Sequence, residues 1–444
     1  MSSILHRVPG NKLPMATGGA GVWLQDAEGR RYLDASGGAA VSVLGHGHPR
    51  VIEAIKRQAE NLAYAHTAFF ANEPSEALAA FITERAPRGF GKVFFSSGGS
   101  EAVETALKLA RQYHVARGDL TRTNFIARRQ SYHGATLGAL SVGGHTARRG
   151  PYEPLLAPCR FIPPCYAYRN LADGETLEEY GLRAANALEE EILQVGPDTV
   201  AAFIAEPVVG ATLGAVPPAP GYLKRIREIC DRYGVLFIAD EVMCGMGRTG
   251  RLFAVDHDEV SPDIICVAKG LAGGYQPLGA TVLSNRVYDA VTRDGGRFEH
   301  GHTYIGHAIA CAAGLAVQQT ISDDGLLDEV ARKGPLLKRL LQDRLQPLGV
   351  VGDIRGRGFL IGVELVEDIA TRRPFPASAK LNGLIKSAAM ARGLIVYPGG
   401  GSVDGVNGDH ILLAPPYIVS EQEMEEIVDR LASAIEACLP ARVA

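Results

Sequence analysis

Three apolar runs each end in a group able to do chemistry. AAFIAE (201–206) ends in Glu206, VLFIADE (235–241) in Asp240 and Glu241, and IICVAK (264–269) in Lys269. Unbroken apolar runs of this length suit strands buried on both faces of a parallel sheet. Ligands of such sheets bind in the crevice beyond the carboxyl ends of the strands, so carboxylates and a lysine are brought to one edge. Taken singly, each charge also reads as the first solvated residue after a strand. A lysine directly after a buried run must reach water or be used, and desolvation pushes it towards the neutral, nucleophilic amine.

A second group sits in FFSSGGSEAVETALKLARQYH (94–114), which reads as strand, glycine-rich turn and helix. Val103, Leu107 and Ala110 form the apolar stripe, and Glu104 is spaced to pair with Lys108. The turn places backbone N–H groups and the Ser100 hydroxyl at the positive end of a helix dipole, which is a phosphate site in physical terms. A tight turn capped by Ser100 has the same spelling. The Walker lysine and the GxGxxG spacing are absent, against a nucleotide hydrolase or a dinucleotide fold. A reactive lysine, a carboxylate one strand away and a phosphate cradle together meet the needs of pyridoxal 5′-phosphate. Its aldehyde requires an amine for a Schiff base, its ring nitrogen an acid and its phosphate an anion hole.

The elements that must position these groups follow a strand, loop, helix pattern, the signature of an α/β chain with a largely parallel sheet. Between the first two runs lies PGYLKRIREICDRYG, where Leu223, Ile226, Ile229 and Cys230 share a helical face and Gly234 supplies the stop. Residues 20–34 read as a hairpin around Asp26–Gly29. After about 325 the pattern changes to a helix (326–346), a strand (358–365), a helix (378–392) and a closing helix from Ser420. The expected organisation is an N-terminal segment (1–48) packing with the small domain, a large domain (49–325) and a smaller α+β C-terminal domain (326–444). The aromatics from Tyr64 to Tyr113 read mostly as core.

Composition narrows the function. The chain has 444 residues, 46% hydrophobic and 21% charged, with net charge −4 and no sustained run of either sign. Without a basic patch, nucleic acid is not an expected partner. No stretch approaches a membrane span and the first residues lack a signal-peptide core, so the expected location is cytoplasmic. Seven scattered cysteines without a CxxC pair fit a reducing compartment. The 52 glycines cluster in short turns, SSGGS, GLAGG and GGG. His300, His302 and His307 lie in a glycine-rich turn with no carboxylate set, so no metal site is read there. His133 reads as a satisfied turn histidine.

The sequence resembles the class III aminotransferases, pyridoxal-phosphate enzymes of fold type I, over essentially its whole length. The resemblance rests on FFSSGGSEAVETALKLAR, SYHGAT, IAEPVVG, ADEVMCGMGRTGRLFA, AKGLAGGYQPLGA, HGHTYIGHAIACAAGLA and DHILLAPPYIVS, in that order. It implies that Lys269 forms the Schiff base and shuttles the substrate proton, while Asp240 keeps the pyridine nitrogen protonated. Tyr132 stacks on one ring face and Val242 packs on the other. Gly99 and Ser100 bind the phosphate, joined by Thr303 from the neighbouring subunit of a homodimer or tetramer. Glu206 matches a cofactor-site glutamate that, in ornithine and γ-aminobutyrate enzymes of the family, pairs with an arginine.

The chain departs from the family at that arginine. Its position here is Leu412, and no arginine occurs between Arg392 and Arg430. The mobile arginine of amine:pyruvate enzymes matches Gly405, and their bulky pair at the pocket mouth matches Gly38 and Ala39. Gly98 replaces a frequent serine of the phosphate loop. Without a bidentate arginine, 2-oxoglutarate is disfavoured and pyruvate, or an amine donor without a carboxylate, is favoured. The reading is an ω-aminotransferase acting on an amine or amino acid and a small oxo acid by a ping-pong mechanism. Racemases, aminomutases and a decarboxylase share the same motifs and remain alternatives. A non-enzymatic cofactor-binding regulator lacks a spare domain here.

Overall fold

The computed structural model of the chain describes residues 3–8, 10 and 12–439. A seven-stranded sheet has the spatial order Phe90–Ser96, Gly279–Ser284, Ile264–Val267, Leu236–Asp240, Val200–Ala205, Asn124–Arg128 and Cys159–Ile162. Neighbours are parallel except in the two pairs made by Gly279–Ser284. The short connection 268–278 lets that strand return antiparallel, whereas a parallel neighbour needs a longer crossover.

The three apolar runs form adjacent central strands, buried along their whole length. Their alternate residues serve opposite layers. Phe203, Phe237, Ala239, Ile265 and Val267 pack into one core, and Ile204, Ile238, Ile264 and Cys266 into the other. Both faces are covered, which is why the runs show no polar alternation. Helix Tyr222–Tyr233 links two of them, burying Ile226, Ile229 and Cys230 and ending at Gly234 with φ +64°. Ala205 pairs with Ala239 and Asp240 with Cys266, so Glu206, Asp240 and the turn at Lys269 leave the sheet side by side.

Helix Gly99–Ala116 crosses one face of the sheet on Val103, Leu107 and Ala110. The expected Glu104–Lys108 pair is replaced by other contacts. Glu104 Oε1 accepts the N–H groups of Gly138 (2.8 Å) and Ala139 (3.1 Å), and Lys108 reaches His300 Nδ1 at 3.2 Å. Two N–H donors at the start of a neighbouring helix are worth more to a carboxylate than an exposed i,i+4 ion pair of a few tenths of a kcal/mol.

A second, antiparallel sheet has the order Val351–Arg357, Leu360–Leu365, Asp409–Leu413 and Tyr397–Gly400. Helices Leu326–Leu345, Leu381–Ala391 and Glu421–Glu436 accompany it, the last starting at a capping box of Ser420 and Glu423. Strands Trp23–Asp26 and Arg31–Asp34 form the expected hairpin, extended by Ala16–Ala20 and joined in parallel by Leu394–Ile395. Val22, Leu33, Val43 and Leu44 share a core with Leu337, Leu341, Ile361 and Leu431. The architecture is α/β, with a mostly parallel sheet in a large domain and a smaller α+β C-terminal domain.

The early aromatics are not mostly core: from Tyr64 to Tyr113 only Phe90, Phe95 and Tyr113 are buried. Phe69 is 79% and Phe70 66% exposed, because their loop between helices Pro49–Asn61 and Glu73–Arg85 lies outside the packed layers. Among the described residues no helix is long and apolar enough to cross a membrane.

Candidate active site

A cavity of about 380 Å³ opens at the carboxyl ends of the central strands, and Gly99, Ser100, Tyr132, Glu206, Asp240, Val242 and Lys269 all line it. Thr303 does not. It lies in an exposed turn, its carbonyl accepting a hydrogen bond from the Tyr64 hydroxyl at 2.9 Å.

Lys269 follows a strand that ends at Val267 and opens a single 3₁₀ turn, Lys269–Leu271, with φ +46°. A non-glycine residue in this left-handed region costs about 1–3 kcal/mol and persists only where its surroundings hold it. Here the Gly273 N–H donates to the Lys269 carbonyl at 2.9 Å. The buried Gln318 amide donates to the carbonyls of Gly270 and Leu271, both at 2.9 Å. Desolvation lowers the Lys269 amine to about 8, against the opposing pull of Asp240 and Glu206.

Asp240 and Glu241 point to opposite sides, as successive strand residues must. Asp240 Oδ1 accepts the Val242 N–H at 3.0 Å, and Oδ2 lies 2.7 Å from His133 Nδ1, which donates to it. Glu241 faces the interior, accepting the N–H groups of Ala254 (2.6 Å) and Val255 (2.9 Å). Its burial pushes it up to about 8.

His133 is thus more than a turn residue: it is buried against Asp240, and its Nε2 has no hydrogen-bond partner among the described residues. The only trace in the sequence is its place after Tyr132, since its partner lies 107 residues away. Glu206 Oε1 accepts the Gly210 N–H at 3.3 Å, while Oε2 has no hydrogen-bond partner and lies 3.9 Å from Arg128 Nη2. Burial raises the Glu206 carboxyl, with His133 and Arg128 opposing.

At the other end of the cavity, Gly98 is the N-cap of the 18-residue helix and offers no side-chain cap. Ser100 does not cap it either, because its Oγ accepts the Ala135 N–H at 3.0 Å. A Cβ on Gly99 would stand 2.7 Å from Val242 Cγ1, so only glycine lets the turn approach that side chain. The first-turn N–H groups remain for an anion.

The family profile described as "Aminotransferase class-III" matches residues 7–435. The chain belongs to the class III aminotransferases. An uncharacterized aminotransferase of Schizosaccharomyces pombe is 43% identical over 439 residues, 99% of this chain and 96% of the relative. The crystal structure of an amine transaminase from an uncultivated Pseudomonas species, in its pyridoxal-phosphate-bound form, is similar with TM-score 0.91 and 37% identity over 99% of both chains. An (S)-enantioselective omega-transaminase from Thermomicrobium roseum is similar with TM-score 0.91 and 36% identity, over 98% of this chain and 97% of that one.

This class III aminotransferase uses pyridoxal 5′-phosphate, and its cavity fits that cofactor. It presents a partly buried amine held near neutrality, a buried carboxylate fixed by two donors, and an uncapped helix N-terminus at a turn where a Cβ does not fit. The aminotransferase has no guanidinium at the two positions compared above. Leu412 is fully buried between Gly362 and Tyr397, and a Cβ on Gly405 would meet Thr146 Oγ1 at 2.5 Å. A Cβ on Gly38 would meet nothing within 4 Å.

Proposed function

We propose that the enzyme transfers the amino group of an amine or amino acid to pyruvate or a similarly small oxo acid, in two alternating half-reactions at one site. The cation inventory of the cavity carries this reading. Among the described residues Lys269 is the only lysine or arginine in its wall, and residues 393–429 contain no arginine. A dicarboxylate such as 2-oxoglutarate calls for two cationic partners, whereas a small monocarboxylate or an uncharged amine asks for far less. Similarity to the T. roseum omega-transaminase supports transfer of an amino group.

In this reading Lys269 holds the cofactor's aldehyde carbon, Asp240 its ring nitrogen, and Gly99 and Ser100 its phosphate. Tyr132 and Val242 cover its two faces, with Glu206 beside it. Thr303 of a second copy completes the phosphate site in a homodimer or tetramer. The bound cofactor supplies an electron sink for the substrate carbon that loses its proton. The Lys269 amine, lowered to about 8, would take that proton from Cα and deliver it to the cofactor's aldehyde carbon. Asp240 is held in place for the ring nitrogen by His133 and the Val242 N–H, which occupy both its oxygens. All seven cysteines are free, which supports a reducing, cytoplasmic location.

The test follows the cofactor's visible absorbance as amines and amino acids are added without acceptor. Bleaching by a donor and recovery with pyruvate is the expected result. Recovery with 2-oxoglutarate alone overturns the acceptor class, and no bleaching by any donor overturns the transaminase assignment.

A further inference from the structure

The cavity presents an electrostatic problem to half of its substrates. Its wall carries the carboxylates Glu206 and Asp240 and a single cation, Lys269, which is committed to the cofactor. An oxo acid, or the amino acid derived from it, brings a further carboxylate that needs a positive partner.

One guanidinium packs on a residue of the cavity wall. Arg148 lies with its guanidinium carbon 4.4 Å from the centre of the Tyr132 ring, and Tyr132 is part of the cavity wall. Arg148 is exposed and pairs with no acid among the described residues. The next residue shows the contrast. Arg149 is committed to Glu153 at 3.0 Å and to the carbonyls of Leu140, Ser141 and Gly143 at 3.0, 2.6 and 3.0 Å. Their short helix, Thr146–Arg149, also abuts the glycine-rich loop, where Thr146 fills the space that a side chain on Gly405 would take. That loop, 401–408, has no lysine or arginine of its own.

We propose that Arg148 binds the substrate carboxylate by swinging from the face of Tyr132 into the cavity, and that its single charge selects monocarboxylate oxo acids. The proposal rests on the transaminase reading above. A guanidinium on an aromatic face is held weakly and is released by rotation of a flexible stem, while a carboxylate offers it a two-pronged, charge-assisted pair. A carboxylate-free amine leaves Arg148 on Tyr132, so one cavity serves both substrate kinds.

The experiment measures kcat/KM of the holoenzyme with pyruvate and with propanal, a small acceptor that has no carboxylate, for wild type, Arg148→Gln and Arg148→Lys. Arg148→Gln is expected to lower the pyruvate-to-propanal ratio by about tenfold or more, mainly through KM for pyruvate, with Arg148→Lys between the two. Alanine against sec-butylamine as donors should show the same pattern. An unchanged ratio overturns the proposal, whether both acceptors fall together or neither changes. A wild type that prefers 2-oxoglutarate to pyruvate overturns the single-charge selection. If the wild type uses no oxo acid at all, the transaminase reading fails with it; if it uses pyruvate and Arg148→Gln does so equally well, only the role of Arg148 fails.

Discussion

In the proposed reading Lys269 sets the chemistry through its environment as much as its identity. Lys269→Ala is expected to lower turnover by at least about a thousandfold, because no other amine lines the cavity. The far-ultraviolet circular dichroism should be unchanged, and retained turnover would reject the assignment. The lowered amine also predicts a pH dependence. With the group at about 8 rather than 10.5, covalent capture of pyridoxal phosphate by the apoprotein should accelerate through pH 8 and level off above it. A midpoint near 10 in stopped-flow absorbance would show a solvated lysine. The same shift gives the folded apoprotein stability as pH rises from about 8 towards 10.5, since there the unfolded chain binds the extra proton, and below 8 that gain is absent. That Lys269 and Asp240 reach one cavity could be read from the sequence because each ends an unbroken apolar run. His133 and Glu104 could not, since their partners, Asp240 and the Gly138 and Ala139 N–H groups, are supplied by distant chain segments.

At the scale of elements, the strained turn at Lys269 depends on helix Ala308–Asp323. Gln318 from that helix holds the Gly270 and Leu271 carbonyls. Gln318→Leu strips both acceptors of their donor in a buried setting and should cost about 1–3 kcal/mol. Thermal denaturation should show the lower Tm, and kcat should fall more than KM rises, since the lysine loses its fixed backbone. An unchanged Tm would mean that the turn is held by its own hydrogen bonds. The helix starting at Ser420 and the central strands could be placed from capping and apolar runs alone. The helix expected over 378–392 begins at Leu381, because Lys380 adopts φ +49°. The expected strand over 358–365 begins at Leu360, after a turn in which Gly358 has φ +54°. Strand order was beyond local reading. The two-residue pairing of Leu394–Ile395 with Leu33 and Asp34 has no periodicity to announce it.

At the scale of the whole molecule, the loop carrying Phe69 and Phe70 and the turn carrying Thr303 form one surface. Tyr64 packs edge-on against Tyr304 at 5.7 Å and donates to the Thr303 carbonyl, and Asn72 donates to the Gly306 carbonyl at 2.9 Å. Phe69, Phe70 and Tyr304 are all exposed, and a large exposed apolar patch marks contact with a protein, a membrane or a ligand. If that contact is a second copy, Thr303 is carried to the partner's phosphate site by the same surface that buries the aromatics. Two variants then separate assembly from ligation. Thr303→Ala should remain a dimer by sedimentation but bind pyridoxal phosphate about tenfold more weakly, having lost one hydroxyl donor to a charged group. Phe70→Glu should dissociate at micromolar concentration and lose affinity by at least the same factor, because the donor leaves with the partner. A monomeric Phe70→Glu protein that keeps full cofactor affinity would show that Thr303 does not act across an interface. A dimeric one would show that the aromatic surface has another use.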